Sequence, residues 1–234
     1  MTGTIINITT VLLGGSIGLF FGRSLSDRFR NTVVHGIGLF TLALGVKMFL
    51  ETENSLISLG SILVGGLLGE WWNIESRIEK FGVVLQARFS KGDHEEDQGS
   101  LFVKGFLTAT LLFEIGPITI LGAIQDGLFG DYSLLAIKSV MDGFAALALA
   151  STLGMGVLFS VLGVLIYQGG ISLLASQAQA ILQDSMVAEM TAVGGILLLG
   201  LAIGSLLELR RIRTGNLLPA LVIAPLIVWI LEAF

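Results

Sequence analysis

Apolar residues fall in blocks of about twenty, parted by short polar stretches, and none of the blocks keeps the strict alternation of a half-buried strand. The first block covers 5–22 and stops at Arg23. Others follow at about 31–50, 55–72, 102–123, 133–151, 153–175, 188–207 and 215–233. About 20 apolar residues suffice for one helical crossing of a bilayer. The stretch 133–175 is too long for one crossing, and Thr152-Leu153-Gly154-Met155-Gly156 is the natural place to turn. The pattern predicts an all-α polytopic membrane protein of about eight transmembrane helices, with seven helices plus a re-entrant segment as the alternative. No basic residue precedes the first block and no small-residue cleavage pattern follows it, so it reads as a retained helix rather than a signal peptide.

The polar stretch after the third block has a pattern of its own. Trp71 and Trp72 sit where an interfacial aromatic belt would lie. Ile74, Ile78, Phe81, Leu85 and Phe89 then recur at helical spacing, with Glu79, Lys80 and Arg88 between them. This predicts an amphipathic helix on the cytoplasmic surface. The run Gly92-Asp93-His94-Glu95-Glu96-Asp97 reads as a solvated tip in preference to a metal site.

Composition agrees with the pattern. Of 234 residues, 53% are hydrophobic and 13% charged, against about 25% charged in soluble domains. With no cysteine, disulfides, thiolate metal sites and cysteine nucleophiles are excluded. His35 and His94 lie too far apart in sequence to suggest a histidine metal site, and no basic face for nucleic acid is visible. An intramembrane enzyme ranks last among the functions, for want of a histidine cluster or a paired nucleophile and base. No cofactor is expected.

The placement of charge fixes an orientation. With eight spans, the loops after spans one, three and seven share a side. They hold Arg23, Arg28 and Arg30; Arg77, Lys80, Arg88 and Lys91; and Arg210, Arg211 and Arg213. With Lys104, 11 of the 13 basic residues are on that side, and the loops at 124–132 and 176–187 hold none. By the positive-inside rule the basic side is cytoplasmic and both termini are outside.

Two internal similarities bear on organisation. Thr32–Gly45 aligns on Thr191–Gly204 in register, and each copy leads to an Asn-apolar segment, at Asn54 and at Asn216. Spans two and three would correspond to spans seven and eight in opposite orientation, the inverted repeat of many secondary transporters. The chain is then one integral membrane domain, 1–234. Within it 1–73 is the first repeat half, 74–100 the amphipathic helix and acidic loop, 101–152 the central spans four and five, and 153–234 the second repeat half. Separately, Gly14/Gly18, Gly65/Gly69 and Gly200/Gly204 are four-residue glycine spacings that allow close helix approach, within the chain or between copies in a homo-oligomer.

Charges inside a membrane cost about 2.5–3.5 kcal/mol each on insertion scales, so the few present mark candidate sites. Glu114 lies deep in span four, in Phe113-Glu114-Ile115-Gly116-Pro117-Ile118-Thr119. Pro117 cannot donate a backbone hydrogen bond to the Phe113 carbonyl, and Gly116 eases local distortion. A broken helix with free carbonyls beside a carboxylate is expected, with Thr119 adjoining it: a cation or proton site of the discontinuous-helix kind. A carboxylate merely paired to another helix is the structural alternative. Gln125 and Asp126 end the same segment. Asp131 is read as a cap of span five. Lys138 and Asp142, four apart, share a helix face with Ser139 nearby, either as a self-neutralising pair or as a solute clamp. Asn7, Gln168 and Asn216 are the softer polar candidates.

These segments together carry a resemblance. Gly3-Thr4-Ile5-Ile6-Asn7, Gly116-Pro117 with Gly122-Ala123-Ile124-Gln125-Asp126-Gly127-Leu128, Lys138-Ser139-Val140-Met141-Asp142-Gly143 and Gly215-Asn216-Leu217-Leu218-Pro219-Ala220 resemble the YdfK/YqgA family of bacterial membrane proteins, nearly end to end. The resemblance implies a multi-pass protein of the bacterial inner membrane and at most a transport role. It carries over no substrate and no catalytic residue. The family pattern emphasises 114–127 and 138–143, and this chain departs from it in carrying Glu114-Ile115 where a neutral residue often precedes the Gly-Pro.

The expected function is an ion- or proton-coupled secondary transporter of a small polar solute or ion, with Na⁺ or H⁺ as coupling ion. A channel, or a non-transporting assembly or sensor protein, is the alternative. The partners expected are the lipid bilayer, the solute or ion, and further copies of the chain through glycine-rich faces.

Overall fold

The computed structural model describes residues 1–22, 26–89, 96–115, 117–175, 177 and 182–232. The described residues form helices α1 (Thr2–Gly22), α2 (Asp27–Phe49), α3 (Ser55–Trp72), α4 (Ile74–Phe89), α5 (Glu96–Glu114), α6 (Pro117–Phe129), α7 (Ser133–Leu153), α8 (Gly156–Phe159), α9 (Val161–Leu173), α10 (Asp184–Leu201) and α11 (Ala220–Glu232), with no strand among them. A π-helical turn, Ala202–Leu206, continues α10, and a 3-10 turn, Thr214–Leu217, precedes α11. Seven helical segments are long and apolar enough to cross a membrane: Thr2–Gly22, Asn31–Phe49, Ser55–Trp72, Ser133–Leu153, Gly156–Leu173, Asp184–Leu206 and Thr214–Glu232. A further pair, Leu101–Glu114 and Ile118–Phe129, is long and apolar enough only when its two helices are taken together, and it is bent by 66° at the break, as a broken span or a re-entrant loop is.

Helices α1 and α3 are inside out relative to those of a soluble protein. On α1 the buried positions are Gly3, Thr4, Asn7, Val11, Gly14, Gly15, Gly18 and Gly22, while Ile5, Leu13, Ile17, Phe20 and Phe21 are exposed. On α3, Ser58, Ser61, Gly65 and Gly69 are buried, and Leu56, Leu59, Leu63, Leu67 and Trp71 are outward. Lipid tails are as apolar as leucine, so nothing drives these large side chains inward. Small residues that let backbones meet take the interior.

The described residues group into two compact units. One comprises Met1–Gly36, Ile78–Glu114 and Ile118–Ala178; the other comprises Ile37–Arg77, Ile115–Pro117 and Gln179–Phe234. In the first, α1 lies along α7. A Cβ on Gly14, Gly18 or Gly22 would fall 2.1, 2.1 and 2.5 Å from the carbonyl oxygens of Gly143, Leu147 and Ser151. Every fourth residue of one helix thus meets every fourth residue of the other, and both series rise together: the two helices run parallel. Phe102 against Phe159 and Gly156 against the Phe102 carbonyl join α5 to α8. The hydrophobic side of α4 meets α5 through Phe81 and Phe106.

In the second unit, Gly65 and Gly69 of α3 meet Ala220 and Asn216, and Gly45 of α2 meets Gly195 of α10. Gly200 and Gly204 lie against Thr214 and Ile212. The glycine spacings seen in the sequence are therefore occupied by contacts within the chain.

The breaks have local causes. Pro117 opens α6, the helix position where a missing N–H costs nothing. Gly154, at φ +79°, ends α7 within the expected turn, and Gly130, at φ +68°, precedes it. The α3–α4 corner turns on Asn73, which is left-handed at φ 51° and donates its N–H to the Glu70 carbonyl. Of the acidic run expected as a solvated tip, residues 92–95 lie outside the described residues, and α5 begins at Glu96.

Candidate functional site

The first unit carries a buried polar network between apolar helices. Thr4 and Asn7, three apart on α1, are both fully buried. Asn7 Nδ2 donates to Asp142 Oδ2 on α7 at 2.9 Å and to Gln168 Oε1 on α9 at 3.0 Å. Gln168 Nε2 in turn donates to Thr4 Oγ1 at 3.1 Å. One turn before Asp142, Lys138 donates its ammonium hydrogen to the same Oδ2. Asp142 therefore accepts a charged and a neutral donor on one oxygen, which is how a buried carboxylate is held in a helix interior. Ser139, beside them, is spent on its own helix, donating to the Leu135 carbonyl at 2.6 Å.

Glu114, at the end of α5, belongs to the same unit. It is buried, and neither carboxylate oxygen has a hydrogen-bond partner among the described residues. The charges of Lys138 and Asp142 both act on it, and its own charge acts on the Tyr167 phenol of α9. Asn7 Oδ1 and, one turn before Glu114, Thr110 Oγ1 are likewise buried without partners. Of the two buried carboxylates, Asp142 is thus paired with Lys138 and Glu114 is bare.

The break beside Glu114 differs in one respect from the free carbonyls expected of it. Thr119 Oγ1 donates to the Phe113 carbonyl at 3.2 Å. The acceptor that Pro117 leaves without a backbone donor is thereby satisfied by a hydroxyl two residues beyond the proline. Gly116 lies outside the described residues.

The remaining candidates stand elsewhere. Asp126 is buried and turned to the N-terminus of α1, where its Oδ2 accepts from the Gly3 N–H at 3.1 Å and from the Met1 amino group at 2.9 Å. A carboxylate there also meets the positive end of the helix dipole. Gln125 next to it is half-buried. Asn216 belongs to the second unit, in the 3-10 turn instead of a long helix. Its Oδ1 accepts from the Glu75 N–H at 2.8 Å and its Nδ2 donates to Glu70 Oε2 at 2.6 Å. Glu75 Oε2 accepts from the Gly215 N–H at 2.9 Å, and Arg213 pairs with Glu70. Asp131 acts one position earlier than a standard cap: its Oδ1 accepts from the Ser133 N–H at 3.0 Å and the Ser133 hydroxyl at 2.6 Å.

Sequence reasoning passed over Glu189 of α10. It is fully buried, and its carboxylate accepts from the N–H groups of Glu53 and Asn54 and the hydroxyls of Thr52 and Ser58, each at 2.9 Å. It gathers the turn that leads into α3. The signal was available, since Glu189 is the only charge in its apolar run before Glu208. Among the described residues no three His, Cys, Asp or Glu side chains form a group that could hold a metal.

Comparison with known proteins adds a family and relatives. The family model described as protein of unknown function (DUF554) matches residues 2–229. The chain is similar to an uncharacterized membrane protein of Bacillus subtilis (strain 168), YdfK, at 33% identity over all of this chain and 98% of that protein. It is similar also to an uncharacterized protein of Escherichia coli (strain K12), YqgA, at 29% identity over 95% of this chain and 94% of that one. No solved structure matches.

Proposed function

The chain belongs to the DUF554 family, and from that premise we propose that it is an ion- or proton-coupled secondary transporter of a small polar solute or ion across the bacterial inner membrane. The observation that carries this reading is Glu114: a buried carboxylate with both oxygens unpartnered among the described residues, within the field of the Lys138–Asp142 pair. A carboxylate serving only to join two helices would have its donors in place, as Asp142 and Glu189 do. A bare one is poised to take a particle from outside the protein.

In this reading Glu114 binds the coupling cation or proton, and Lys138 with Asp142 orients or gates the solute. Asn7, Thr4 and Gln168 hold Asp142 in place through amides that cannot change charge. The basic loops face the cytoplasm and both termini face outward. The inverted relation of spans two and three to spans seven and eight fits the same class of protein.

The test is a thermal-shift screen of the purified protein. It crosses Na⁺, K⁺ and pH with a panel of small polar solutes, for wild type and Glu114→Gln. A ligand that binds only the folded state raises its stability. Stabilisation by one ion or solute that Glu114→Gln loses supports the transporter. No shift under any condition in wild type overturns it.

A further inference from the structure

We propose that Glu114 and Thr110 together hold a monovalent alkali cation, Na⁺, on the face of α5 that packs against α9. The proposal deepens the transporter reading and rests on it for its biological sense, although the binding itself stands or falls separately.

Helix geometry puts both ligands on one face of α5. They are four residues apart, one turn, which sets their Cβ atoms about 5–6 Å from each other. That face is turned to α9. A Cβ added to Gly163 would fall 2.5 Å from Thr110 Cγ2 and 3.4 Å from Thr110 Oγ1, so the threonine lies on bare backbone. Further back, the Phe102 carbonyl meets Gly156. Both series of contacts rise together, and α5 therefore runs parallel to the segment Gly156–Leu173. One turn beyond Thr110 and Gly163, this register sets Glu114 level with Tyr167. The next residue, Gln168, accepts from Asn7 at 3.0 Å. Asn7 spends its amide nitrogen on Asp142 and Gln168, which leaves its Oδ1 as a further oxygen at that level.

Four oxygens of this region are buried without a hydrogen-bond partner: both of Glu114, Thr110 Oγ1 and Asn7 Oδ1. Thr9, Thr32 and Thr191 each donate to the carbonyl four residues earlier, at 2.8, 2.9 and 2.7 Å, as helical hydroxyls commonly do. Thr110 makes no such bond, so its hydroxyl is unspent. Buried oxygens left bare cost free energy, and a cation among them relieves several at once. A single proton could bridge two of them at most. Oxygen donors of this kind suit alkali and alkaline-earth ions over metals that favour nitrogen or sulfur. Charge decides between those two classes. Asp142 is neutralised by Lys138, which leaves the one charge of Glu114, and no three acidic or histidine side chains gather among the described residues. One carboxylate balances one positive charge, whereas a divalent ion would stay half uncompensated inside the membrane. Hard cations take about six oxygens, more than the chain offers. Water or an oxygen of the solute completes the shell, and ion binding is thereby tied to solute binding.

Binding of radiolabelled Na⁺ to the purified full chain, with melts in NaCl against choline chloride at equal ionic strength, tests the site. Wild type should bind Na⁺ and melt higher in NaCl. Thr110→Val keeps the shape of the side chain and deletes a hydroxyl that has no partner, so it should melt like wild type in choline. It should lose the NaCl shift and bind Na⁺ about tenfold or more weakly. Thr110→Ser should restore both, and Glu114→Gln should abolish both. Thr108→Val is the control: its hydroxyl is also buried and unpartnered but lies on another side of α5, and the shift should remain. Unchanged Na⁺ binding by Thr110→Val overturns the site, as does the absence of Na⁺ binding in wild type. A shift given by Ca²⁺ and not by Na⁺ overturns the charge assigned. Where Thr110→Val is unstable even in choline, Thr110→Ser against Thr110→Ala decides, and equal Na⁺ binding by those two overturns the site. A protein that binds Na⁺ in this way yet moves no solute across vesicles refutes the transporter reading and leaves the site standing.

Discussion

Asn7 and Asp142 lie 135 positions apart in the chain and are joined by a 2.9 Å hydrogen bond from the amide to the carboxylate. The same amide group holds Gln168, so one small side chain on α1 ties α7 and α9 together. Asn7→Ala deletes both bonds and leaves buried acceptors short of donors. The expected loss is about 1–2 kcal/mol of stability, a few interhelical bonds at membrane strength plus unmet acceptors. Denaturant titration in mixed micelles checks it, and an unchanged midpoint would show that the network is not holding these helices.

Glu189 gathers four donors on the turn before α3. Glu189→Gln keeps the shape of the side chain but removes the charge that strengthens all four bonds, those from the Glu53 and Asn54 amides included. A destabilisation of about 1–3 kcal/mol is expected, together with faster hydrogen exchange at the Glu53 and Asn54 amides. Exchange at wild-type rates would refute the role given to Glu189.

Glycines differ in what they prevent. A Cβ at Gly18 would lie 2.1 Å from the Leu147 carbonyl oxygen, backbone that cannot yield, whereas one at Gly36 would meet nothing within 4 Å. Gly18→Ala should therefore part α1 from α7 and lower the melting temperature sharply. Gly36→Ala should be neutral or gain up to about 1 kcal/mol from helix propensity. Melting curves of the pair make the comparison, and equal effects would contradict the packing described.

The Ser133 hydroxyl and N–H hold the Asp131 carboxyl below its ordinary value of 3.8. A depressed value in the folded state means stability that is present above the ordinary value and lost as pH falls towards the folded one. The advantage of wild type over Asp131→Ala should then be constant at neutral pH and shrink below about pH 4. Thermal shifts of both proteins across that range test it, and an advantage that grows on acidification would have the wrong sign.

Orientation is open to thiol labelling, since the chain has no native cysteine. Phe129→Cys should react with an impermeant reagent added outside the cell, and Lys80→Cys only after the cytoplasmic side is opened. The reverse pattern would invert the topology.

What the sequence made legible was short in range. The spans follow from twenty-residue apolar blocks, the Lys138–Asp142 pair from its four-residue spacing, and the break at Pro117 from the missing N–H. Thr119 rescuing the Phe113 carbonyl was not legible, because a hydroxyl six residues away reaches it only once the helix has bent. Nor were the partners of Asn7, Asp126 and Glu189, each more than a hundred positions distant. Composition says that a buried acid needs donors, but only the packing of helices says which ones.

The parallel course of α1 and α7 has a consequence for the arithmetic of crossings. Two helices that point the same way must be separated by an odd number of passages through the bilayer. Between Gly22 and Ser133 the segments Asn31–Phe49 and Ser55–Trp72 supply two. Where both of these cross, the bent pair on either side of Glu114 is the segment available for the third. The alternative of a loop that dips in and returns would turn α7 round and set its carbonyls against the wrong glycines. The glycine ladder of one helix pair thus restricts the chain between its two members to an odd number of passages.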